Sequence, residues 1–139
     1  MVWYNPPMRP PSFVEISKSN LIHNISTFKK LLGKYKKLVA VVKSNAYGHD
    51  AKLVAKIIED YVDYFQVDDL LEVRDLRTVT QKPILLLGYV PKEEIEEAIN
   101  LGATLSVFDE WQLEEIERIG RKRGQRIAVQ IEVDSFLGR

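Results

Sequence analysis

The sequence predicts an α/β fold built on a parallel sheet, and three observations carry that prediction. Short apolar runs rich in branched residues alternate with segments whose apolar residues recur every three or four positions. The connections between those runs are too long for hairpins, so successive strands run parallel with a helix crossing between them. No cysteine is present, which removes disulfides and thiolate-bound metals as organising devices.

Each element has its own signal, taken in chain order. Pro6, Pro7, Pro10 and Pro11 each lack an N–H and bias the preceding residue toward extended geometry, so residues 1–12 read as an extended arm. From Asn20, the residues Leu21, Ile22, Ile25, Phe28, Leu31 and Leu32 form the apolar face of a helix that Gly33 ends. Leu38 to Val42 is an unbroken apolar run, as in a parallel strand covered on both faces, and Lys43 closes it.

Asp50 is a plausible N-cap for a second helix carrying Leu53, Val54, Ile57 and Ile58, followed by a short strand at Tyr64–Val67. Asp69 to Val79 reads as helix and Pro83 to Gly88 as buried strand. Pro91 opens a helix through Ile95, Ala98 and Ile99 that Gly102 terminates. Thr104–Val107 is a fourth strand. Asp109 with Gln112 has the spacing of a capping box ahead of Leu113, Ile116 and Ile119. Ile127, Val129, Ile131 and Val133 alternate with polar residues as a fifth strand.

The periodicity fits either an open doubly wound sheet or a (β/α)8 barrel. A closed barrel takes about 250 residues, so in a chain of 139 residues a barrel is incomplete, with about five strands and open edges that call for a cover. The composition, 45% hydrophobic and 29% charged, is that of a globular protein and excludes disordered and collagen-like classes. Twenty basic residues balance twenty acidic ones and intersperse with them, so nothing points to nucleic acid or a membrane surface. Neither a targeting segment nor a run of roughly 18 apolar residues is visible, and a cytoplasmic setting is the default expectation.

In both candidate folds ligands gather at the carboxyl ends of strands, where Lys43 and the turn Ser44–His49 fall. Lys43 shares a strand face with Val41 and Val39, so its amine is a candidate nucleophile, although a solvated strand-end lysine is the commoner meaning of this spacing.

The residues Ala40-Val41-Val42-Lys43-Ser44-Asn45-Ala46-Tyr47-Gly48-His49 resemble the cofactor-lysine segment of the alanine racemases, A-V-V-K-A-N-A-Y-G-H, with Ser44 the one difference. The resemblance extends to Arg9-Pro10, Val14-Glu15-Ile16 and Leu21-Ile22-His23-Asn24-Ile25. Downstream it takes in Leu71–Arg77, similar to E-A-x-x-L-R, and Pro83–Gly88, similar to P-I-L-V-L-G. It implies an incomplete TIM (β/α)8 barrel over residues 13–139 without the family's C-terminal β-domain, and a cytoplasmic homodimer with shared active sites in the full-length form. The implied activity interconverts L-alanine and D-alanine with pyridoxal 5'-phosphate, held on Lys43 as a Schiff base.

By the same resemblance Lys43 is also the base on one face of the α-carbon, and Tyr47 hydrogen-bonds the cofactor phosphate. The amine must be neutral to attack, so desolvation and a nearby cation are expected. Asn45 and Gly48 shape the turn, and His49 is a scaffold hydrogen-bonder. Glu132–Arg139 is similar to K-V-D-T-G-M-x-R, keeping Asp134 and Arg139 and replacing Thr, Gly and Met by Ser135, Phe136 and Leu137. Arg139 accordingly contacts the cofactor's phenolic oxygen and the substrate carboxylate. Glu132, standing at the family's lysine, is expected to steady Arg139 by its own charge. No metal site is expected. Two other meanings stay open: a module that binds the cofactor without turnover, and a truncated chain that is inactive alone because the opposing base and most phosphate ligands lie in segments it lacks.

Overall fold

The structure, a computed structural model, describes residues 12–136. The proline-rich arm up to Pro11, including Arg9-Pro10, lies outside the described residues, as do Leu137, Gly138 and Arg139. Helix α1 (Lys18–Leu32) starts at Ser17, whose hydroxyl accepts from the Asn20 amide at 3.3 Å, and stops at Gly33, where φ is +76°. Strand β1 (Val39–Val41) follows, and after the Lys43 turn comes α2 (Ala51–Ile58), capped by Asp50 through the Lys52 and Leu53 amides, both at 3.1 Å. Strand β2 (Tyr64–Val67), helix α3 (Leu70–Arg77), strand β3 (Ile84–Leu86), helix α4 (Lys92–Asn100) and strand β4 (Ala103–Val107) continue the alternation. Helix α5 (Glu110–Arg123) begins at the Asp109 capping box: the Gln112 side chain accepts from the Asp109 amide at 3.3 Å and the Phe108 amide at 2.9 Å. The last strand is β5 (Val129–Ile131).

All strand pairings are parallel, in the order β1-β2-β3-β4-β5. That order decides between the two architectures. A doubly wound sheet reverses its strand order at a switch point, whereas right-handed crossovers that always step the same way leave every helix on one face. Helices α2 to α5 each pack on the next, and α1 packs on α2. The fold is therefore the alternating β/α arrangement of an incomplete (β/α)8 barrel.

The register sorts side chains into two faces. Ala40, Phe65, Ile84 and Ala103 form one row, and Val67, Leu86, Leu105 and Val129 the next; these face the helices, with Phe65, Val67, Ile84 and Leu86 fully buried. The alternate row, Val41, Gln66, Leu85 and Thr104, faces the concave side. There Val39 and Val41 keep 39% and 43% exposure, so the expected cover on both faces of β1 is present on the helix face alone. The fifth strand is likewise shorter than its Ile127–Val133 pattern: its outer edge pairs with nothing among the described residues, so no second ladder extends it.

Candidate active site

The chain after β1 departs from ordinary geometry. Val42 is still tied to the sheet through its amide to the Gln66 carbonyl at 2.9 Å. Then Ser44, Asn45, Ala46 and Tyr47 all take φ near +53°, between +52° and +54°, making one turn of left-handed helix from Lys43 to Gly48. L-residues pay about 1–2 kcal/mol each for this conformation. Local bonds hold the turn. The Asn45 side chain accepts from the Ala51 amide at 2.9 Å, and His49 Nδ1 lies 2.8 Å from the Ala46 carbonyl, the scaffold role expected of it. Gly48, with φ of +86°, takes a backbone conformation that a side chain would strain.

Lys43 emerges at the carboxyl end of β1, 29% exposed in its side chain. Its Nζ donates to Asp68 Oδ2 at 3.1 Å. Asp68 follows β2 immediately, and since Val41 pairs with Gln66, Lys43 and Asp68 are the next register neighbours on the concave face. The side chain bonded to Nζ among the described residues is thus a carboxylate. Behind the pair stands Glu72. One of its oxygens accepts from the Ser44 amide and the other from the Asp68 amide at 2.8 Å, so one carboxylate staples the Lys43 turn to the end of β2. Asp69 fixes Glu72 in turn by accepting from its amide at 2.9 Å.

Gly88, at the end of β3, closes the arrangement from the other side. A Cβ there would lie 1.9 Å from the Asp68 carbonyl oxygen, so only glycine permits that approach. The arginine of the same helix motif does something else entirely. Arg77 donates to the carbonyls of Leu101 at 2.6 Å, Lys82 at 2.7 Å, Gly102 at 3.2 Å and Thr80 at 3.3 Å, pinning the opposite end of the sheet, and its burial pulls its pKa below the usual arginine value.

The structure thus gathers Lys43, Asp68 and Glu72. Tyr47 is 61% exposed on the same left-handed turn. Glu132 continues the rim past β5, its amide bonded to the Val107 carbonyl at 3.0 Å. Arg139, with which Glu132 was expected to pair, is outside the described residues. Asp68 and Glu72 went unrecognised as site residues in the sequence. Two signals could have found them: Asp68 ends a strand just as Lys43 does, and Asp69 with Glu72 has capping-box spacing.

With this geometry in hand, likeness to known proteins is informative. The family model for the alanine racemase N-terminal domain matches residues 16–139. An alanine racemase of Desulforamulus reducens is 38% identical over 134 residues, which is 95% of this chain and 36% of that protein. The alanine racemase of Clostridium difficile 630 superposes with a TM-score of 0.80 at 36% identity, over 87% of this chain and 34% of its own. That of Bacillus anthracis with bound L-Ala-P gives 0.76 at 32% identity, over 88% and 32%. The chain spans about a third of the length of the curated relatives it matches. By the extent of these matches, the chain belongs to the alanine racemase N-terminal domain family.

Proposed function

We propose that this chain supplies the cofactor lysine of a pyridoxal-phosphate-dependent amino-acid racemase acting on alanine, with Lys43 as the attachment point. The observation that carries the reading is the position of Lys43: an accessible amine at the carboxyl end of a strand, on the concave face, followed by a strained turn built around the family's motif. The residues present fit the aldehyde end of the cofactor, since an amine with 29% side-chain exposure can reach a carbonyl carbon from the rim. Tyr47 offers a hydroxyl donor for the phosphate.

When bound, the cofactor supplies an electron sink that lowers the barrier to removing an amino acid's α-proton. The chain's own contribution is the amine. Lys43 Nζ would hold the cofactor at its carbonyl end, and from the strand end it would accept and return the substrate's α-proton on one face. The opposite face needs a second acid–base group, which we assign to a partner chain of a homodimer. Arg139 is proposed to hold the substrate carboxylate, with Glu132 as its counter-charge.

The test is to titrate the purified chain with pyridoxal 5'-phosphate, follow the visible absorption of the adduct, reduce it with borohydride and map the modified peptide. Modification at Lys43, lost in Lys43→Ala, is the expected result; a label on any other residue defeats the assignment. In the same titration Glu132→Gln should weaken cofactor affinity, and an unchanged affinity removes Glu132 from the site.

A further inference from the structure

We propose that Asp68 is a positioning residue that restrains the Lys43 amine, holding it against the end of β2 and slowing its reactions until a carbonyl ligand displaces it. This deepens the reading above and rests on Lys43 being the amine that takes the carbonyl. Three observations set the pair apart from an ordinary surface ion pair, which is worth little. Both side chains are partly shielded, at 29% and 39% exposure, with Nζ and Oδ2 3.1 Å apart. The Asp68 backbone is fixed from two directions, its amide held by Glu72 and its carbonyl oxygen packed where a Gly88 Cβ would stand. Glu72 also holds the Ser44 amide, so both backbones that carry the pair are joined through a single carboxylate. The anchor is preset by the fold.

The charge balance gives Asp68 a role on both sides of the reaction. When the Lys43 ammonium condenses with an aldehyde, a carbon–nitrogen bond forms and the carbonyl oxygen leaves as water with two of the three nitrogen-bound protons. The nitrogen keeps one proton and the positive charge. The Asp68 carboxylate therefore faces a cation before and after, first as the restraint on Nζ and then as its counter-charge. Glu72 and Asp69 stand behind it on the start of α3, each with oxygens committed to backbone amides.

The experiment needs no cofactor. The purified full chain is treated with a limiting amount of an amine-acylating reagent at one fixed near-neutral pH, and the rate at each lysine is read by peptide mass spectrometry. Asp68→Asn should speed Lys43 acylation about five-fold, while Lys18 and Lys30 on α1 keep their rates and Asp68→Glu restores the slow rate. Asp68→Ser serves as the second variant should asparagine disturb the fold, which faster acylation at every lysine would reveal. Lys43 rates equal to wild type in the folded variants overturn the restraint. A cofactor label mapped away from Lys43 instead defeats the function proposed above, so the two failures are separable.

Discussion

Asp68 is held in position by contacts with Glu72 and Gly88. Glu72 takes its amide and Gly88 leaves room for its carbonyl, so a change at either should move the carboxylate that meets Lys43. Gly88 is the sharper case, because a methyl group 1.9 Å from a backbone oxygen cannot be absorbed by a rotamer change. Gly88→Ala is expected to cost about 2 kcal/mol in denaturant unfolding through local overpacking, and to raise Lys43 acylation as Asp68 shifts. Unchanged stability would mean that β3 and the end of β2 are less closely apposed. The divided labour of the L-R motif is visible at this level too: Glu72 serves the ligand end of the sheet and Arg77 the other, because one helix long enough to span the layer carries both.

The left-handed turn is the element on which the site depends. Four consecutive residues with positive φ are strained individually, and the turn persists because Val42, Asn45, His49 and Glu72 hold it at both ends. Ser44 is exposed and contributes its amide, which glycine would keep. Ser44→Gly should therefore stabilise the chain by about 1 kcal/mol in urea unfolding, since glycine adopts this conformation without the steric penalty; a loss of stability would show that the hydroxyl matters more than the strain. Helix α1 is the opposite case. Its apolar spacing was clear, yet it has no fully buried residue, and Phe28 and Leu31 stay 59% and 78% exposed. Leu21 and Ile25 alone of that face pack on the core, because α1 lies at the end of the sheet where one neighbour is missing among the described residues.

Across the molecule, the helix layer is laced by ion pairs: Arg74 on α3 to Glu97 on α4 at 2.6 Å, Glu96 on α4 to Arg123 on α5 at 2.8 Å, and Glu115 on α5 to Arg118 at 2.5 Å and Lys92 at 3.5 Å. The hydrogen-bonded arginines hold the carboxyls of Glu96, Glu97 and Glu115 below the ordinary glutamate value of 4.5. Depressed carboxylates bind fewer protons in the folded than in the unfolded chain, so their contribution is present above that value and is lost as the pH falls through the folded values. A chain carrying Glu96→Gln, Glu97→Gln and Glu115→Gln should show a flatter fall of stability from about pH 5 to pH 3 than wild type, measured as the urea midpoint. An equal slope would mean that these pairs are too well solvated to matter. No helix among the described residues is long and apolar enough to cross a membrane.

The amino-acid pattern was sufficient to determine the kind and order of the elements, because apolar periodicity, capping residues and glycine stops are local properties: Asp50, Gly33, Gly102 and the Asp109–Gln112 pair act where their spacing puts them. It also singled out Lys43 as a candidate, through the motif that resembles the alanine racemases' and its place at a strand end. Tertiary structure alone decided three matters. Strand order, which selects the barrel over the doubly wound sheet, depends on which strands pair across long connections. The exposure of β1 and the shortness of β5 depend on neighbours at the sheet edges. The Asp68 carboxylate beside Lys43 joins residues 25 positions apart through parallel register, a relation that no local spacing encodes.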